Sequence, residues 1–143
     1  PGAAALGEAA MEIYENFDEK IAHMYALKKH FIEEVTKIEG VTINGKTGED
    51  SAPQIVSVTI QGVRSEVMLH SLEEKEIYVS SGSACSSNHP GISGTLKAIG
   101  VANERLDCTL RFSFSVETQI EQLKQTITEL KQLVPVLARY TRR

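Results

Sequence analysis

Leu6, Ala10, Ile13, Phe17, Ile21, Met24, Leu27, Phe31, Val35 and Ile38 follow one another at intervals of three or four residues. That interval is the signature of one helical face, and it predicts a single long helix over Leu6 to Ile38. Such a helix is about 50 Å long at 1.5 Å per residue. A chain of 143 residues does not need that length for its own core, so the front half is expected to lie against something beyond it. Gly40 supplies the stop.

The period then changes. Val41-Thr42-Ile43, closed by Asn44-Gly45, reads as a short strand, and Ile55 to Ile60 alternates Ile/Val with Ser/Thr as a second. Glu66 to Leu72 carries Val67, Met68, Leu69 and Leu72 as a short amphipathic helix, and Ile77-Tyr78-Val79 reads as a third strand. Ile92 to Ile99 is expected to be a helix closed by Gly100, Thr109 to Phe114 a fourth strand, and Glu117 to Tyr140 a closing helix with Ser115 as its N-cap. The predicted fold class is α+β, a small and mostly antiparallel sheet covered by helices, in one domain. The order in which the strands pair is not readable from these patterns.

Composition narrows the function classes. With 15 basic and 19 acidic residues the net charge is −4, and Lys and Arg gather only in the short Arg142-Arg143 tail. Nucleic acid and anionic membrane are therefore poor partners. No apolar run approaches the length of a bilayer span. Two cysteines, Cys85 and Cys108, and no secretory leader pattern point to a reducing, cytoplasmic setting. The chain opens on Pro1-Gly2 without Met, which is read as the mark of a fragment.

Between the third strand and the next helix lies Ser80-Ser81-Gly82-Ser83-Ala84-Cys85-Ser86-Ser87-Asn88-His89-Pro90-Gly91, small residues with no apolar period. This is a predicted loop, and it would give Cys85 exposure and freedom to approach another molecule. A thiol at its reference pKa of about 8.5 is only a few per cent thiolate at neutral pH. A cation, helix N-terminus or cofactor acid would have to raise that fraction, and none can be assigned from sequence. Read from its residues alone, Cys85 is an incidental surface thiol, since most cysteines are unreactive. Cys108, bordering an apolar strand, reads as a small packed hydrophobe. A metal site of Cys85, His89 and Cys108 matches no common zinc spacing and lacks a fourth ligand, so no metal is expected. His23, His30 and His70 lie on predicted helices, where solvated or packed histidines are ordinary.

The run Tyr78-Val79-Ser80-Ser81-Gly82-Ser83-Ala84-Cys85-Ser86-Ser87 resembles the active-site loop of the cysteine desulfurases, pyridoxal-phosphate enzymes of the class V aminotransferase group, in their S-S-G-S-A-C branch. Gly62 and Glu66 before Leu69 resemble that family's turn into its small-domain helix, Leu96-Lys97-Ala98-Ile99-Gly100 its helix end, and Leu110-Arg111-Phe112-Ser113 its R-F-S strand. Pro1 to Ala10 is similar to the start of the helix joining the large and small domains. The resemblance thus covers essentially the whole chain and implies the small domain of a fold-type I pyridoxal-phosphate enzyme.

It further implies that residues 1–143 are the C-terminal small domain, with the large cofactor-binding domain absent. The implied activity is removal of sulfur from L-cysteine to give alanine and a persulfide on Cys85, for transfer to an acceptor or scaffold protein in iron–sulfur cluster assembly or a related pathway. Arg111 is implied to hold the substrate carboxylate, with Ser80, Ser81, Gly82, Ser83, Ala84, Ser86 and Ser87 as the active-site loop. A planar guanidinium grips a carboxylate with two parallel charge-assisted hydrogen bonds. Without the motif, Arg111 would read as an ordinary surface arginine.

Asn88 to Gly94, reading N-H-P-G-I-S-G, departs from the family's usual E-P-S run. The family's Schiff-base lysine with its preceding histidine, and the aspartate for the pyridine nitrogen, match nothing in these residues. Pyridoxal phosphate is thus expected in the full-length parent, a homodimer, and not on this chain, which is expected to be inactive alone. A stand-alone sulfur carrier or interaction module without the cofactor is the alternative.

Overall fold

The computed structural model describes residues 1–81 and 93–140. Helix α1 (Gly2–Tyr14) and helix α2 (Phe17–Val35) open the chain. Strand β1 (Val41–Asn44), strand β2 (Ile55–Ile60), helix α3 (Ser65–Glu73) and the two-residue strand β3 (Ser80–Ser81) follow. Helix α4 (Gly94–Ala98), helix α5 (Asn103–Leu106), strand β4 (Thr109–Ser113) and helix α6 (Ile120–Tyr140) complete it. The four strands make one antiparallel sheet in the order β1-β2-β4-β3. The α+β reading therefore holds.

Period-two alternation divides the sheet into an apolar and a polar face. Val41, Val56, Val58, Ile60, Leu110 and Phe112 point inward and are buried. Against them pack Leu27, Phe31 and Val35 of α2, Met68 and Leu72 of α3, and Leu123, Ile127, Leu130 and Val134 of α6. Each such side chain contributes about 1.5–3 kcal/mol by leaving water. Phe31 is the aromatic hub, with ring centroids 4.9 Å from Phe112 and 5.6 Å from Phe114.

The single long helix predicted over Leu6 to Ile38 is in fact two. Glu15 is extended and Asn16 left-handed (φ 52°, ψ 38°), which breaks the hydrogen-bond ladder between α1 and α2. Asn tolerates that conformation better than most residues. The apolar step survives the break because Tyr14 and Phe17 meet across it, with ring centroids 5.4 Å apart. No residue of α1 is buried, whereas α2 buries Met24, Leu27, Lys28, Phe31 and Val35.

The third strand is displaced as well. Ile77-Tyr78-Val79 forms no ladder, Tyr78 is 78% exposed, and pairing with β4 starts only at Ser80. Helix α3 ends in a Schellman arrangement that holds the chain back: Ile77 N–H donates to Leu72 O at 3.0 Å, Glu76 N–H to Glu73 O at 2.9 Å, and Glu76 is left-handed (φ 59°). The predicted helix over Ile92 to Ile99 is described as Gly94–Ala98, with Ser93 Oγ capping Leu96 N–H at 3.4 Å. Ile92 is outside the described residues. Helix α5 is too short to show a period and was not foreseen.

Ser115 does not cap α6. Its Oγ accepts from Glu117 N–H at 3.2 Å in a separate turn. The helix starts at Ile120, and Gln122 Oε1 accepts from Gln119 N–H at 2.8 Å just before it. No helix among the described residues is long and apolar enough to cross a membrane.

Candidate functional site

The polar face of the sheet carries the site. Thr42 and Asn44 of β1, Ser57 and Thr59 of β2, Thr109 and Arg111 of β4 and Ser80 of β3 share that face by alternation. At one end its hydroxyls are consumed internally. Thr59, fully buried, bonds Thr109 Oγ1 at 2.8 Å and Asn44 Nδ2 at 2.8 Å, and Thr109 donates to Arg105 O at 2.8 Å. Buried hydroxyls need such partners.

At the other end a cleft of about 440 Å³ opens over β2, β3 and β4, within the size range of small-molecule sites. Ile55, Leu96 and Ile99 give it apolar walls, and Ser57, Ser80 and Arg111 a polar floor. The register sets Arg111 directly opposite Ser57 on one side and Ser80 on the other. Its Nη2 donates to Ser80 Oγ at 3.2 Å. Among the described lining residues Arg111 is the one charged side chain, and among the described residues it has no carboxylate partner. A cation with no counter-charge, set in a partly apolar cleft, favours a small anion, and a guanidinium favours a planar one.

Of the residues predicted to act, Arg111, Ser80 and Ser81 are thus brought to one place. Gly82, Ser83, Ala84, Cys85, Ser86 and Ser87 lie outside the described residues, as does His89. Cys108 is a free, half-buried thiol outside the core cluster, and its backbone carbonyl accepts from Ile60 N–H at 2.8 Å. His23 Nε2 bonds Thr118 O at 2.9 Å, and His70 Nδ1 lies 3.1 Å from Glu73. Among the described residues no group of three or more His, Cys, Asp or Glu gathers to hold a metal.

Sequence reasoning missed Ser57, Ile55, Leu96 and Ile99 as neighbours of Arg111. Alternation placed Ser57 on the polar face, but only the pairing order brings it opposite Arg111. It also missed Lys28, a nearly fully buried lysine inside the apolar stripe of α2. Its Nζ donates to Ser51 Oγ at 2.7 Å and Ala52 O at 2.8 Å, fastening the β1–β2 connection to the helix. Burial pushes this amine below the usual lysine range, and Asp50 opposes the shift.

Residues 1–126 match the protein family Aminotransferase class-V. The chain belongs to the class V aminotransferase family. Its relatives there include the cysteine desulfurase IscS of Vibrio campbellii, 32% identical over 142 residues that cover 94% of this chain and 34% of that protein. The cysteine desulfurase IscS of Pseudoalteromonas translucida is 34% identical over 139 residues, covering 92% and 34%. A solved structure of a NifS-like protein superposes with a TM-score of 0.73 at 23% identity, over 95% of this chain and 33% of that one, which shows the shared fold. The chain spans about a third of the length of the curated relatives it matches.

Membership of the class V aminotransferase family implies pyridoxal phosphate in the full-length enzyme, and the described residues do not fit that group. Among its described lining residues the Arg111 cleft has no lysine for a Schiff base and no carboxylate for a pyridine nitrogen. Lys28 is buried elsewhere, with its amine committed to Ser51 and Ala52.

Proposed function

We propose that residues 1–143 are the C-terminal small domain of a cysteine desulfurase, which supplies the substrate-carboxylate arginine and the sulfur-accepting thiol to a large domain that holds pyridoxal phosphate. The observation that carries this reading is Arg111: a cation in a small cleft, without a carboxylate partner among the described residues, and hydrogen-bonded to Ser80. Ser80 and Ser81 open the S-S-G-S-A-C run, and Cys85 follows Ser81 by four positions in the sequence.

In this reading Arg111 fixes the L-cysteine carboxylate by a two-point fork, and the apolar walls of Ile55, Leu96 and Ile99 exclude water beside it. Cys85 then takes the sulfur. L-Cysteine and the Cys85 thiol give L-alanine and the Cys85 persulfide, so the carbon–sulfur bond breaks, a sulfur–sulfur bond forms, and no outside oxidant is needed. The persulfide passes to a protein acceptor, in the cytoplasm and from a homodimeric parent.

The test is alanine release from L-cysteine by the full-length polypeptide carrying this chain, with persulfide detected as the mass gain of one sulfur atom on the Cys85 peptide. Cys85→Ser should abolish the persulfide while leaving the cofactor bound. Arg111→Ala should cost about 2–5 kcal/mol in kcat/KM, the range for breaking a desolvated charged pair, and Arg111→Lys should remain impaired because it keeps charge and loses the fork. Near-normal turnover by Cys85→Ser, or wild-type kinetics for Arg111→Lys, would overturn the assignment. The separate 143-residue chain should stay colourless with added pyridoxal phosphate and release no alanine.

A further inference from the structure

We infer that Ser80 is a positioning residue for Arg111, holding its guanidinium across β3 so that the carboxylate fork is formed before substrate arrives; this rests on the carboxylate role proposed above for Arg111. The register carries the inference. In an antiparallel pair directly opposed side chains stand side by side, within about 5.5 Å at Cβ, and Arg111 has a serine opposed to it on each side, Ser57 and Ser80.

The two serines are not equivalent. Ser57 Oγ is engaged by Asn44 Nδ2 at 3.3 Å, toward β1, while Ser80 Oγ accepts from Arg111 Nη2 at 3.2 Å. Among the described residues Ser80 is therefore the hydroxyl that restrains the guanidinium, and a guanidinium carries more N–H donors than a carboxylate fork uses, so the restraint does not consume the fork. An exposed arginine with no counter-ion otherwise samples many rotamers, and ordering such a side chain on binding is unfavourable. Restraint in advance removes part of that loss.

The expected effect is on carboxylate discrimination rather than on folding. In the full-length polypeptide, Ser80→Ala should reduce the preference for L-cysteine over L-cysteine methyl ester, as a ratio of kcat/KM values, about tenfold, the size of one hydrogen bond to a charged group. Ser80→Thr, which keeps the hydroxyl and suits a strand, should restore the ratio. Ser80→Ala combined with Arg111→Ala should be no worse than Arg111→Ala alone. Equal losses on both substrates, failure of Ser80→Thr to rescue, or additive losses in the double variant would overturn the inference.

A second readout does not depend on turnover. Phenylglyoxal labelling of Arg111, mapped by mass spectrometry, should be suppressed by L-alanine in the wild type, and Ser80→Ala should need about tenfold more L-alanine for the same protection. A shift in protection without desulfurase turnover would keep the Ser80 role and reject the proposed activity. Turnover with unchanged protection in Ser80→Ala would reject the Ser80 role and keep the activity. No protection by L-alanine in the wild type would reject both.

Discussion

Truncating Phe31 tests the packing that carries the β4 strand. The side chain is fully buried, with its ring tilted 47° to Phe112 at 4.9 Å and edge-on to Phe114 at 5.6 Å. Phe-to-Ala changes in cores cost about 3–5 kcal/mol, and two opposing effects fix the value here. The surrounding groups belong to a sheet and two long helices that cannot collapse inward, which raises the cost. A cleft of about 320 Å³ already borders Phe31, Phe112, Phe114 and Leu123, so water can wet the hole, which lowers it. The middle of the range, about 4 kcal/mol, follows. An unfolding entropy of about 2.1 cal/mol/K per residue over 143 residues gives about 300 cal/mol/K. Phe31→Ala should therefore lower Tm by about 13 °C, and Phe31→Leu by a third of that or less. Differential scanning calorimetry reads both. A drop under about 3 °C for Phe31→Ala would mean that α2 is not clamped to the sheet through this ring.

Three further outcomes follow from particular residues. Glu76 occupies the left-handed position that ends α3, so Glu76→Gly should raise stability by up to about 1 kcal/mol in urea titrations; a loss would show that the Schellman end is not formed. Lys37 and Lys131 hold the half-buried Glu34 carboxyl down at about 2 from 4.5, so its contribution is present above pH 4.5 and lost as pH falls toward 2. Glu34→Gln should flatten stability over that window, less so in high salt, and an unchanged pH profile would remove the network from the account. Alkylation of the native chain should label the half-buried Cys108 more slowly than Cys85, and peptide mapping with Cys108 labelled first would contradict the loop reading of Cys85.

Where periodicity alone decides structure, the sequence was legible. Ile55 to Ile60 alternates without interruption and forms β2 as expected, and the stripe of Leu123, Ile127, Leu130 and Val134 forms α6. The failures share a cause. Asn16 and Glu76 each take a left-handed conformation that a side-chain pattern does not register, and each moved a boundary. Asn16 divided the long helix, and Glu76 delayed β3 from Ile77 to Ser80 although Ile-Tyr-Val has strong strand preference. Lys28 was invisible for another reason: its partners Ser51 and Ala52 come from a loop whose path no period describes. At the candidate site, Arg111 was singled out through its R-F-S setting, and the structure places it in the cleft over β2, β3 and β4. Its neighbours Ser57 and Ser80 required the order β1-β2-β4-β3, which is a property of long-range pairing.

That order also explains how one short strand serves both stability and the role proposed for Arg111. Within β4, Leu110 and Phe112 face the core while Thr109 and Arg111 face the polar side. A one-residue slip would bury the guanidinium and expose both apolar side chains, so the inner face enforces the register that the outer face needs. Because β4 is internal, flanked by β2 and β3, both neighbours of Arg111 are fixed by backbone ladders and not by loop conformation. Arg111 itself contributes little to that scaffold: it is exposed, and its side-chain partner among the described residues is a single serine. Replacing it should therefore remove anion recognition while leaving the fold near its original stability, since substitutions outside the core are usually worth less than about 0.5 kcal/mol. The arginine is dispensable to the sheet, and the sheet is indispensable to the arginine.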